Sequence, residues 1–196
     1  MGKILKPSDL AQYPSKNSKG EYATYIGGEF AGYAPMAMFQ GCLLPVHIKP
    51  IAEEMVADAA ADGVTLTMAK GFVTLDQQIA IRQYYLKPED KEKRQNDLEW
   101  LLSAPVWSFR VLVGYPGGSN HQNIVTPAID WNVTQTDKFG KRVGNLPSYK
   151  WLVGNAHKYK IFRTIPDERW HTEYHPNQVD MFFKVKKDHP TWDGLV

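Results

Sequence analysis

The chain has 196 residues, 43% of them hydrophobic, with a formal net charge of +2 and a pI near 8.5. That length suits one domain around a single sizeable core. The mild charge argues against a nucleic-acid partner, and the lone cysteine, Cys42, excludes an internal disulfide and a thiolate metal cage.

Residues 1–40 scatter Tyr22, Tyr25, Phe30, Tyr33 and Phe39 among glycines, which predicts an irregular or short-stranded extension wrapping a core of about residues 44–185. No internal boundary, repeat or low-complexity tract stands out, so residues 1–196 read as a single domain. Cys42 reads as a small packing residue rather than a nucleophile. From Pro50, Ile51, Met55, Ala59 and Ala60 recur at helical spacing, and Gly63 supplies a stop. Val64 to Met68 alternates as a strand, Lys70-Gly71 reads as a turn, and Asp76 to Leu86 as a helix closed by Pro88. The mixed-sign run from Lys87 to Arg94 is a solvated helix or loop. Leu98 to Leu102 predicts another helical piece and Phe109 to Val113 a strand. Ile124-Val125 and Ala128 to Val133 read as strand broken at Pro127, which cannot donate to a ladder. A short helix over Pro147 to His157 follows, then strands at Lys160 to Ile165, Trp170 to Tyr174 and Met181 to Val185. Helices early and strands late predict an α+β fold: a small, mostly antiparallel sheet with helices packed on one side.

The chemistry concentrates in Pro116-Gly117-Gly118-Ser119-Asn120-His121-Gln122, in Asp130, and in Glu168-Arg169-Trp170-His171. Two imidazoles and one carboxylate make a zinc ligand set with an open fourth position, and a non-ligating Glu beside it is a ready general base. His121 and Asp130 are nine positions apart, an odd offset, so they converge only if the chain bends between them. Alternation places Ala128, Asp130 and Asn132 on one strand face. It also groups His171, Glu173 and His175, opposite Trp170, Thr172 and Tyr174. A rival ligand pair, His171 with His175 at helical spacing, lacks the Glu directly after the first His that metalloprotease helices carry. Duller roles exist too: Asp130 capping a turn, and Glu168 opening a helix.

With these motifs the sequence resembles the zinc D-alanyl-D-alanine carboxypeptidases and phage L-alanyl-D-glutamate endopeptidases, within the lysostaphin/hedgehog-like metallopeptidases. That family carries Ser-x-His-x6-Asp and, near its C-terminus, Glu-x-Trp-His. Upstream, Lys70-Gly71-Phe72-Val73-Thr74 and Gln77-Gln78 resemble its Ser-Gly-Tyr-Arg-Ser with a following Gln-Gln; the resemblance runs from about residue 44 to 175. It implies one zinc ion held by His121, Asp130 and His171, Glu168 as catalytic base, and Ser119, Gln78 and Trp170 at the substrate. It implies hydrolysis of an amide bond in peptidoglycan stem peptides or cross-links.

Two departures from the pattern matter. Eight residues, not six, separate His121 from Asp130, and the family arginine falls on Val73. Either Lys70 or Arg82 replaces that cation, or the site has altered specificity or weakened catalysis. Residues 1–7 show no apolar run of signal-peptide length, and nothing approaches a membrane span. The expectation is therefore a phage-type cell-wall lytic enzyme made in the cytoplasm. It would reach the wall through a lysis system or on a virion, with virion or tail proteins as further partners. Two rivals stand beside it: a non-catalytic tail or wall-binding module that keeps the fold, and a metal-free structural protein in which these histidines are incidental.

Overall fold

The computed structural model describes residues 3–177 except 112, 137–141, 145, 166 and 167. The strand expected at Met181 to Val185 lies outside the described residues. In chain order the elements begin with α1 (Pro7–Gln12), β1 (Tyr22–Ile26), β2 (Glu29–Ala34), β3 (Met36–Phe39), β4 (Cys42–Pro45) and α2 (Lys49–Ala61). Next come β5 (Met68–Lys70), α3 (Leu75–Tyr84), α4 (Pro88–Arg94) and α5 (Leu98–Ser103). The last are β6 (Ala128–Trp131), β7 (Thr134–Thr136), β8 (Arg142–Gly144), α6 (Leu146–Asn155), β9 (Ile161–Phe162) and β10 (His171–Tyr174). Among the described residues no helix is long and apolar enough to cross a membrane.

These elements form two compact units, Met1–Met36 with Phe72–Ile124, and Ala37–Gly71 with the chain from Val125 on. In the first unit, β1 and β2 make an antiparallel hairpin in which Ile26 pairs with Glu29. The two loop residues, Gly27 and Gly28, have φ of +59° and +87°. Such a two-residue turn needs left-handed backbone at both positions, and glycine adopts it without strain. Of the two forms expected for the N-terminal region, irregular or short-stranded, it takes the short-stranded one. Its Leu5, Ala23 and Tyr25 pack with Leu75 and Leu102 into a core of their own.

Helix α3 starts at a capping box: the Thr74 side chain accepts from the Gln77 N–H, and the Gln77 side chain accepts from the Thr74 N–H. Pro88 does not close this helix but opens α4, in whose first turn its missing N–H costs nothing. Helix α4 buries no residue, as its mixed charge predicts. Among the described residues of the strand expected at Phe109 to Val113, only Phe109 pairs, in a single bridge to Leu86. The Arg110 N–H and guanidinium donate instead to the carbonyls of Tyr85 and Tyr84, which ties this segment to the end of α3.

The second unit holds the four-stranded sheet, in the order β5-β6-β10-β9, antiparallel throughout. Helix α2 buries Ala52, Met55 and Ala59 along one stripe. It ends in a Schellman motif: Gly63 at φ +75° donates to Ala60, and Val64 to Ala59. These residues join Leu66, Ile129, Trp131 and Leu152 in the main core, so one sheet face is covered by α2 and α6. Cys42 packs against that core, and burial pushes its thiol up, away from reactivity. The strand expected at Val64 to Met68 begins only at Met68, because the Gln40 side chain takes the place of a ladder partner. Its amide donates to the Leu66 carbonyl at 3.3 Å and its oxygen accepts the Met68 N–H at 2.7 Å. Ile124 and Val125 form bends rather than strand, and Val125 is exposed. Four strands, β1 to β4 in two two-stranded sheets, also precede α2, so strands are not confined to the second half; the α+β class stands.

Candidate metal centre

Asp130 and His171 are placed by the sheet. They are directly opposed in the β6–β10 register, with Thr172 opposite Ile129 and Glu173 opposite Ala128. Side chains alternate across a strand, so fixing the core face fixes the other. Trp131 is 1% exposed in the core and donates its indole N–H to Thr172 Oγ1 at 3.0 Å. Asp130 and His171 therefore share the opposite face, where His171 Nδ1 and Asp130 Oδ1 are 2.9 Å apart. His171 Nε2 lies 3.0 Å from Glu173 Oε1. Burial favours a neutral imidazole, but the hydrogen bonds and charges of Asp130 and Glu173 outweigh it and raise the His171 pKa to about 9. His175 sits one residue past β10 with Nε2 3.0 Å from Glu173 Oε2. A helical His171–His175 ligand pair is thereby excluded.

His121 is placed by turns. Pro116 and Gly117 occupy the central positions of a β-turn closed by Gly118 N–H to the Tyr115 carbonyl at 2.9 Å. Gly117 has φ +79°, as the second central position of a type II turn requires. Asn120–Gln122 then form one 3₁₀ turn. Fully buried Gln122 accepts the Gly117 N–H on its side-chain oxygen at 2.8 Å and closes the loop on itself. The His121 carbonyl accepts the Val73 N–H at 2.9 Å. Because His121 stands on a turn and not a strand, the parity of its spacing to Asp130 decides nothing. Two extra residues are therefore easily absorbed.

His121 in the first unit and Asp130 and His171 in the second are all buried, and each offers an atom that can ligate a metal. Their chemistry fits zinc: nitrogen and oxygen donors, two potentially neutral imidazoles and one carboxylate, with no fourth protein ligand required. The Asp130 and Glu173 carboxylates that raise the His171 pKa also favour a positive charge at this place.

Around these residues the other expected positions divide. Glu168 Oε2 lies 3.7 Å from His171 Nδ1, and its side chain is 35% exposed. The Glu168 carbonyl accepts the His171 N–H in a turn, so Glu168 does not open a helix. Trp170 is exposed, while its carbonyl accepts the Trp131 N–H. Ser119 is half-buried, and its carbonyl accepts from Gln122. Gln78 is buried and donates its amide to the Gly114 carbonyl at 3.0 Å. Lys70 Nζ reaches to 3.5 Å from Asp130 Oδ2 with its side chain 44% exposed. Arg82 is wholly buried and spends its guanidinium on the carbonyls of Leu101 and Ala104. Sequence reasoning left open which cation neighbours the ligands; β5 pairing with β6, Lys70 opposite Asp130, decides for Lys70.

Residues 43–177 match the VanY D-alanyl-D-alanine carboxypeptidase family. The chain belongs to this family. Among curated proteins, a D-alanyl-D-alanine carboxypeptidase of Enterococcus faecalis (strain ATCC 700802 / V583) is 27% identical over 141 residues, 67% of this chain and 48% of the relative. The chain thus spans about half the length of the curated relative that it matches. Two solved structures share the fold at a TM-score of 0.51. One is a mutant of the vancomycin-resistance D,D-pentapeptidase VanY with Zn(II), 24% identical and covering 79% of this chain and 84% of that one. The other is VanYB with D-alanine-D-alanine, 22% identical and covering 81% and 85%. The α+β peptidase fold implied by the motifs is therefore the fold of the VanY family.

Proposed function

We propose that this VanY-family chain is a zinc metallopeptidase that hydrolyses an amide bond in peptidoglycan stem peptides or cross-links, with one zinc held by His121, Asp130 and His171. The observation that carries the reading is the buried Asp130–His171 pair, opposed across β6 and β10 with Oδ1 and Nδ1 2.9 Å apart. The family match and the solved Zn(II) complex of a fold relative support it. When bound, zinc supplies a Lewis acid for the scissile carbonyl and for the attacking water. Glu168, beside His171 yet partly open to solvent, accepts the water proton on its carboxylate and returns it to the leaving amine. Lys70 stands in the place of the missing arginine's charge, where it can steady a substrate carboxylate or developing negative charge. Exposed Trp170 and half-buried Ser119 offer a ring face and a hydroxyl to the peptide, while Gln78 shapes the site through Gly114.

The decisive experiment pairs elemental analysis with mass spectrometry of digested peptidoglycan. Wild type should carry one zinc and release a defined fragment, which also names the bond. Glu168→Gln should keep its zinc and melting temperature while losing about 100- to 10,000-fold in hydrolysis. A metal-free wild type, or full turnover in Glu168→Gln, would remove the zinc reading or the base assignment respectively. The narrower role, a phage-type lytic enzyme acting on the bacterial wall, rests on the motif resemblance to phage endopeptidases; lysis of intact cells by added protein tests it. The non-catalytic alternative is favoured by Val73, and unchanged peptidoglycan in the same digestion would establish it.

A further inference from the structure

Asp130 engages only one nitrogen of His171. The other, Nε2, faces Glu173, whose second oxygen is within 3.0 Å of His175 Nε2. Glu173 is 4% exposed, and a carboxylate that deep is tenable only when hydrogen-bonded. Its place follows from strand geometry: two residues after His171 on β10, it shares that face, paired with Ala128 of β6 on one side and Phe162 of β9 on the other. His175 is itself pinned, its N–H donating to the Lys160 carbonyl at 2.8 Å and its ring meeting Phe162 edge-on at 6.4 Å. The reaction described above leaves Glu173 without a task.

We propose that Glu173 is a positioning residue that selects Nδ1 of His171 as the metal-binding nitrogen, and that His175 holds Glu173 in register. The proposal rests on the zinc reading. A neutral imidazole carries its single N–H on either nitrogen, and the partner of one nitrogen decides the fate of the other. Here both nitrogens face carboxylates. With Nδ1 given to a metal, only the Nε2–H form would satisfy Glu173. The opposite tautomer would set a bare Nε2 lone pair against a buried carboxylate and block Nδ1 with hydrogen. A carboxylate accepting the distal N–H also makes the ligating nitrogen a better donor. Glu173 is a poor rival to Glu168 as proton carrier, since imidazoles engage both its oxygens and it has almost no access to solvent.

The test uses the full chain with ¹⁵N-labelled histidine, in wild type, Glu173→Gln and Glu173→Ala. Zinc affinity is read by chelator competition, and the His171 tautomer by long-range ¹H–¹⁵N correlation of the zinc-loaded protein. Wild type should bind zinc through Nδ1 and show a protected Nε2–H. Glu173→Gln is nearly isosteric and keeps an acceptor oxygen, so it should retain that tautomer with zinc binding weakened about tenfold. Glu173→Ala should weaken zinc binding by up to about 100-fold and expose the Nε2–H to rapid exchange. Zinc on Nε2 in wild type, or alanine and glutamine variants that both match wild type in affinity and tautomer, would overturn the proposal. A wild type that takes up no zinc would overturn the zinc reading first, so the two failures are distinguishable.

Discussion

Arg82 and Lys70 are the two cations that the sequence offered in place of the arginine expected at Val73, and the fold treats them in opposite ways. Arg82, inside the first unit, lies against the rings of Phe109 and Tyr115 at 4.4 and 4.9 Å. Its donors go to Leu101 and Ala104, carbonyls at the end of α5 that have no partner within their own helix. Burial pushes its guanidinium down to about 10, against the pull of Tyr115, and it stays charged at neutral pH. Lys70, in the second unit, keeps its ammonium half in water beside Asp130. One cation closes a helix and the other addresses a candidate ligand. Residue type could not separate them; burial and partners do.

The contrast is sharpest where Arg82 is removed. Arg82→Met keeps the apolar stem but orphans two buried carbonyls, at about 1–3 kcal/mol each. The variant should lose about 2–6 kcal/mol of stability in denaturant unfolding, while the folded fraction keeps wild-type kcat/KM. A stable variant with impaired hydrolysis would reverse the assignment. Lys70→Met should do the opposite. A half-exposed ion pair contributes at most about 1 kcal/mol to folding, so unfolding should barely change. Loss of a positioned donor at the reacting centre costs roughly 100-fold, and kcat/KM should fall on that scale. Unchanged kinetics in Lys70→Met would mean that the missing arginine has no substitute in this chain.

What the sequence disclosed, and what it hid, follows the range of the interactions. Local strand alternation grouped Asp130 with Ala128 on one strand and His171 with Glu173 on another; only the β6–β10 register shows that the two faces coincide. The capping box at Thr74 and Gln77 and the hairpin at Gly27-Gly28 were equally local but were passed over as family pattern and loose composition. Gln40 was beyond reach: it satisfies the backbone of Leu66 and Met68 across 26 and 28 residues, which shortens β5. Arg82 was hidden for the same reason, its acceptors lying 19 and 22 residues away. The motif order made His121 legible as a candidate ligand, although the geometric argument offered for it, strand parity, did not apply to a residue on a turn.

The smallest expected effect divides the two cations through Asp130, which offers Oδ1 to His171 and Oδ2 to Lys70. In zinc-free protein the His171 pKa stands at about 9, above its ordinary value of 6.5. A raised folded-state pKa means that the charged ring stabilises the fold fully below about pH 6.5, and that this contribution is lost as pH rises through 9. Zinc must displace the same proton, so its affinity should climb with pH over that window. Lys70 opposes the imidazolium, since it is positive and competes for the same carboxylate. Lys70→Met should therefore raise the His171 midpoint, by less than about one unit because the ammonium is half in water. Arg82→Met should leave the midpoint where it is. Histidine-resolved NMR titration of the metal-free proteins reads all three. A midpoint that falls in Lys70→Met, or moves equally in Arg82→Met, would show that Lys70 holds no privileged position at Asp130.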